Sequence, residues 1–186
     1  MIMAVIRGDS EGVLESAKLM LVSARTAPKT AGVDDVESAI VTGEEKDRIA
    51  EEMERMAQDR GVRGFIRDAG NVRDSEAVVL IGINGRKSSA MNCGSCGYRD
   101  CKAFDSTEER KGNDFVGPNC IFKAIDLGIA LGSAVKTASL LNVDNRIMYR
   151  IGTAAVRLGL MEKSTVVLGI PLSAKGKSIY FDRKFQ

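Results

Sequence analysis

The residues of this chain best suited to chemistry are its thiols. The four cysteines of the 186-residue sequence, Cys93, Cys96, Cys101 and Cys120, fall within 28 residues and are spaced C-x2-C-x4-C-x18-C. Four thiolates are the ligand set of a 4Fe–4S or 2Fe–2S cluster, and equally of an all-cysteine zinc site. Two disulfides are a third outcome. A common four-thiolate zinc site uses two C-x2-C pairs, and this chain has one. A plant-type 2Fe–2S loop reads C-x4-C-x2-C, the reverse of the order here. Gly94 and Gly97 each follow a cysteine, which leaves backbone amides free to approach cluster sulfurs and tune their potential. The spacing therefore favours 4Fe–4S, with zinc and disulfides as alternatives.

Other chemistries are closed off by what the sequence lacks. With no histidine, a Ser-His-Asp or Cys-His triad, a histidine-ligated metal and a Rieske-type cluster are excluded. Catalysis near neutral pH has to come from a cofactor, or from carboxylates, lysines or tyrosines of shifted pKa. The 27 basic residues nearly cancel the 25 acidic ones, and no basic stripe interleaved with aromatics is present, so nucleic acid is not an expected partner. Met1 to Arg7 has no basic leader region, and no secretory signal is expected. The apolar run from Ala124 to Val135 contains Asp126 and is too short for a bilayer of about 30 Å. The expectation is a cytoplasmic protein, where reduction weakens the disulfide reading.

The cysteines must be positioned by the elements around them. Val13, Ala17, Met20 and Ala24 recur at helical spacing, predicting a helix from Ser10 to Arg25 that stops before Pro28. Val36 to Thr42 reads as a short strand. Glu44 to Arg60 reads as a charged helix with Ile49, Met53 and Met56 on its inner face. Val72 to Glu76 leads into Ala77–Ile83, a β-branched run suited to a strand buried on both faces. The cysteine segment follows. Asn119 then caps a helix from about Cys120 to Leu141, apolar on most sides and so expected to be central, with Gly128 and Gly132 allowing close helix contact. Asp144 or Asn145 starts a further helix to about Leu158. Ser164 to Ile170 is a last strand, broken by Pro171 and followed by a basic tail. This alternation predicts an α/β (α+β) fold, with helices packed over a small mixed sheet and residues 1–186 as a single domain. Gly82 to Ser88 lacks the spacing of a phosphate-binding loop. Arg86 and Lys87 within it would lower the net negative charge around a thiolate cluster. Asp34-Asp35 and Glu44-Glu45 read as solvated starts of elements rather than acid/base pairs.

Cys93-Gly-Ser-Cys96-Gly-Tyr-Arg-Asp-Cys101-Lys-Ala-Phe104 with a distant Cys120 resembles the C-G-x-C-G-x-x-x-C-x-x-F…C motif. That motif binds 4Fe–4S clusters in corrinoid iron–sulfur proteins and in a subunit of ion-pumping ferredoxin oxidoreductases, usually with a shorter last interval. Asp126 to Ser133, Asp144 to Met148 and Gly169 to Arg183 extend the likeness. Over most of its length the chain is similar to a bacterial and archaeal family of ferredoxin-domain proteins of unknown function. Ala24 to Gly32, Asp126 to Ala130 and Val166 to Pro171 also resemble the A-P-S segment, the central dimer helix and the last core strand of FMN-dependent nitroreductases. That likeness implies a homodimer, FMN at the subunit interface, and residues 85–120 as an iron–sulfur loop inserted before the central helix. The arginine-rich phosphate motif of those enzymes is reduced to Arg7, and other residues replace their usual Asn and Gln around Lys29 and Thr30. The FMN contacts the likeness implies are Arg25, Thr26, Lys29 and Thr30, with Arg183 or Lys184 at the phosphate. The implied function is electron transfer to a redox partner protein or a small acceptor, as an iron–sulfur protein or a flavin-linked oxidoreductase. The alternative is a non-enzymatic binding protein with a structural zinc.

Overall fold

The computed structural model describes residues 8–181. Helix α1 (Asp9–Thr26) buries Val13, Ala17, Met20 and Ala24, the face its spacing predicts. Strand β1 (Val36–Val41) and helix α2 (Gly43–Arg60) follow, and α2 buries Ile49, Met53 and Met56. Helix α3 (Gly64–Arg73) was not expected from the sequence. Its glycines mask a short periodic pattern, yet Phe65, Ala69 and Val72 share one buried face. Strand β2 (Ala77–Ile83) is buried at every position.

The reason lies in the layers on either side. Ala77, Val79, Ile81 and Ile83 pack with α1 and with α5 (Ile121–Leu140). Val78 and Leu80 point the opposite way, into a second cluster with α2, α3 and α6 (Tyr149–Arg157). The sheet runs β1-β2-β6-β5, with β6 at Val166–Ser173 and β5 at Asp144–Asn145. Among the described residues all its pairings are antiparallel. A small sheet covered by helices on both faces bears out the α/β reading, but the sheet is antiparallel rather than mixed among the described residues.

Several sequence expectations are corrected. Asp144 and Asn145 begin no helix: they pair with Ser173 and Leu172, and α6 starts at Tyr149. Partners far along the chain outcompete the local capping preference there. Pro171 does not break the last strand, which continues to Ser173. The Leu172 carbonyl accepts from the Glu76 N–H, so the neighbouring Pro171 turns its missing N–H to the opposite edge. There β5 has already ended, and the next pairing is the Met148–Gly169 bridge. Helix α5 is apolar on two sides but buried on one: Leu127, Ala130, Leu131, Ala134 and Ala138 face the core, while Ile121, Ile125 and Ile129 are exposed. A side chain at Gly128 or Gly132 would meet only open space, so within this chain neither glycine serves close packing.

Candidate metal centre

The segment between β2 and α5 carries all four cysteines, and its two ends are tied together. The Cys120 N–H donates to the Gly85 carbonyl at 2.8 Å. The Gly85 N–H donates to the Thr165 hydroxyl at 2.9 Å, and that hydroxyl lies 2.5 Å from Asn119 Oδ1. A side chain at Gly85 would collide with Asn119, so this closure requires glycine. Asn119 therefore stitches the loop to the start of β6, and Cys120, not Asn119, occupies the N-cap position of α5.

All four cysteine side chains line one cavity, with Phe104, Ile121, Phe122 and Met91 supplying apolar walls. Among the described residues no three Cys, Asp or Glu side chains gather closely enough to hold a single ion; the thiols are spread around the cavity. Cys120 is buried, Cys96 and Cys101 half-buried, and Cys93 exposed. The room between them is about 10 Å³, roughly that of one water. Beside the exposed Cys93, Gly94 and Gly97 take φ +70° and +86°, a backbone conformation that favours glycine.

Each buried thiol has its own support. Burial alone would raise the Cys120 thiol pKa, but the backbone amides of Ser89, Lys123 and Phe122 and the Ser89 hydroxyl face its sulfur and bring it below its usual value. The Phe122 and Lys123 amides belong to the first turn of α5, a setting that favours thiolate. Cys101 opens the short helix α4 (Cys101–Asp105), capped by Asp100, which accepts from the Ala103 N–H at 2.8 Å. Its sulfur accepts from the Asn92 N–H at 3.3 Å, and its own N–H donates to Asn92 Oδ1 at 2.9 Å. Sequence reasoning found the cysteines and the motif residue Phe104 but missed the roles of Asn92 and Ser89. Asn92 and Asp100, polar neighbours of ligand cysteines, carried a readable signal; Ser89 carried none.

Behind Cys120 lies a buried ion cluster also missed in sequence. Lys123, fully buried, brings its Nζ to 2.8 Å from Asp35 and 3.9 Å from Asp126. The Asp35 oxygen concerned is reached without hydrogen-bond alignment, so this is an ion contact. Asp35 also pairs with Lys87 at 3.0 Å. Burial pulls the Asp35 pKa up, but Lys123 and Lys87 outweigh it and hold the group below its usual range. Asp35 is thus built into the fold and is not a solvated element start.

The implied FMN residues that are described lie together at the end of α1 but do not line one cleft. Arg25 lines a separate cleft of about 710 Å³, together with Asp34, Asp35, Glu37, Asn84 and Arg86, and pairs with Asp34 at 2.5 Å. Lys29 donates to the carbonyls of Ala24, Arg25 and Ala27 at 2.7, 2.7 and 2.8 Å, closing the end of α1. Thr30 donates through both its N–H and its hydroxyl to Asp126, each at 2.9 Å. The Thr26 hydroxyl bonds back to the Val22 carbonyl. Arg183, Lys184 and Arg7 lie outside the described residues.

A family described as an uncharacterized protein containing a ferredoxin domain (DUF2148) matches residues 116–183. An uncharacterized protein of Archaeoglobus fulgidus is 54% identical over 174 residues, covering 94% of this chain and 93% of that one. The chain belongs to this ferredoxin-domain family. The segment matched to the family begins at Val116, so it includes Cys120 and leaves Cys93, Cys96 and Cys101 before it. Among solved structures, the nitroreductase CinD of Lactococcus lactis, in complex with chloramphenicol, aligns with TM-score 0.59 and 14% identity over 96% of this chain and 84% of that one. A nitroreductase with bound FMN from Desulfitobacterium hafniense aligns with TM-score 0.56 and 15% identity over 88% and 78%. At such identities the likeness is one of fold, so this ferredoxin-domain protein is built on a nitroreductase-like scaffold. No described helix is long and apolar enough to cross a membrane.

Proposed function

We propose that this member of the ferredoxin-domain family is an iron–sulfur redox protein carrying one 4Fe–4S cluster on Cys93, Cys96, Cys101 and Cys120. The observation that carries the reading is that all the thiols of the chain line one cavity. Ligands spread around a cavity suit a group with one thiolate on each of several irons, whereas zinc draws its thiolates to about 2.3 Å from one point. When bound, such a cluster takes up and gives back one electron at a time. The chain's own residues hold Cys120 at the N-cap of α5, orient Cys101 through Asn92, and wall the inner side of the cavity with the buried Phe104. Residues 85–120 form the ligand-bearing insertion on an otherwise single-domain scaffold, and free thiols poised for iron fit a reducing cytoplasm.

A flavin-linked oxidoreductase extends this reading. The support is the fold and the cleft lined by Arg25, since Lys29 and Thr30 already have protein partners. The exposed isoleucines of α5 support a homodimer. Electrons would pass to a redox partner protein or a small acceptor. Anaerobic purification followed by assay of iron, sulfide, zinc and released flavin tests these points together. About four iron and four sulfide per chain with a broad band near ~400 nm are expected for a thiolate-bound cubane. One zinc in a colourless protein would end the redox reading.

A further inference from the structure

We propose that Arg86 is a positioning residue for the iron–sulfur site: it staples the halves of the cysteine loop together and sets the cluster's potential with an unpaired charge. The inference rests on the cluster assignment above. Lys87, its neighbour, is exposed and pairs with Asp35. Arg86 is placed differently. Its Nη1 donates to the Pro118 carbonyl at 3.2 Å and its Nη2 to the Thr107 carbonyl. Pro118 lies two residues before Cys120, and Thr107 follows α4, which opens with Cys101. One planar fork thus joins the stem leaving β2, the segment that carries Cys101 and the stem that delivers Cys120. Lysine, a single point donor, cannot reproduce that fork.

The guanidinium also lies over the Phe104 ring, 5.2 Å from its centroid. Phe104 is fully buried and lines the cysteine cavity, so the charge sits across one ring from the thiols. Among the described residues no carboxylate lies within ion-pair distance of Arg86. A thiolate-bound cluster is net negative, and a nearby uncompensated cation in a part-buried setting favours its reduced form. The other face of Arg86 lines the large cleft. The residue is therefore a wall shared by the cysteine site and a solvent-open pocket.

The test uses anaerobic full-length holoprotein with R86K, R86Q and R86A, each checked for folding by circular dichroism. Iron release to a chelator and the midpoint potential from an EPR-monitored titration are both read. R86A is expected to release iron faster, with iron affinity lowered by up to the roughly 10- to 100-fold typical when support of a metal site is removed, and to shift the midpoint to more negative values. R86K keeps the charge and loses the fork: faster release with a near-wild-type midpoint is expected. R86Q loses the charge, so its midpoint falls as in R86A. Should R86A fail to fold, R86K and R86Q carry the test. Wild-type protein with four iron whose variants match it in both readouts overturns the Arg86 role alone, and faster release with unmoved midpoints in R86A and R86Q overturns the charge effect. Wild-type protein without iron and sulfide overturns the cluster assignment itself.

Discussion

Cys120 and Cys101, two of the proposed ligands, show how backbone geometry supports single thiols. Both thiols sit where a helix begins, and backbone amides already face each sulfur. Replacing either by serine removes a soft ligand that iron prefers and substitutes a poor one; C101S and C120S are expected to lose most of their iron, read by colorimetric iron assay of anaerobic protein. A second residue-scale device anchors the far end of the loop. Asp114 accepts from Arg60 and from the Tyr149 hydroxyl, and Phe115 packs edge-on against Tyr149 at 5.4 Å. Burial and the Asp114 hydrogen bond push the Tyr149 pKa up to about 12. A pKa raised above the unfolded value stabilises the fold below pH 10, and that contribution disappears as pH climbs from 10 to about 12. Urea midpoints measured from pH 9 to pH 12 should fall more steeply for wild type than for Y149F. Tyr180, whose pKa is raised further by burial, is present in both proteins and cancels in the difference.

At the scale of elements, helix α5 and strand β6 decide whether the site forms. Lys123 sits on the first turn of α5 inside the Asp35–Asp126 cluster, and truncating it leaves the buried Asp126 without its cation and Asp35 with Lys87 alone. Removing one partner of a buried ion pair typically costs about 3–5 kcal/mol, so K123A should lower stability by that order in denaturant titration. Since α5 also presents Cys120, iron binding should weaken with it. Helix α6 meets β6 through Gly152, where a side chain would collide with the Val167 backbone. Backbone cannot swing aside as a flexible side chain does, so G152V should lose at least about 2 kcal/mol, in the range for overpacked cores. Its thermal melt should show the loss without any change in the cysteine loop.

At the scale of the whole molecule, the three-layer arrangement leaves an apolar stripe uncovered among the described residues. Ile121, Ile125 and Ile129 on α5, beside Gly128 and Gly132 with open space above them, form an exposed stripe. Pairing of two such helices would cover it, as expected of the homodimer proposed above. Light scattering behind size exclusion should give twice the 20.0 kDa chain mass for wild type, and the chain mass for I125D/I129D. A wild-type monomer would remove the dimer from the functional reading.

The sequence by itself determined the thiol set, its spacing and most of the scaffold. Thiol spacing is chemistry written locally, and the periodicity of α1, α2 and β2 reports burial directly, so these were legible without coordinates. The tertiary structure alone decided the rest. Whether Asp144–Asn145 caps a helix or pairs as a strand depends on Ser173 and Leu172, about 28 residues away. Pro171 is tolerated because β5 ends early on the edge it faces, a fact no local window contains. Lys123 looked like one more helix lysine until Asp35 and Asp126 were brought around it. Burial, pairing and charge compensation are properties of residues distant in the chain, and they become readable only when the fold brings those residues together.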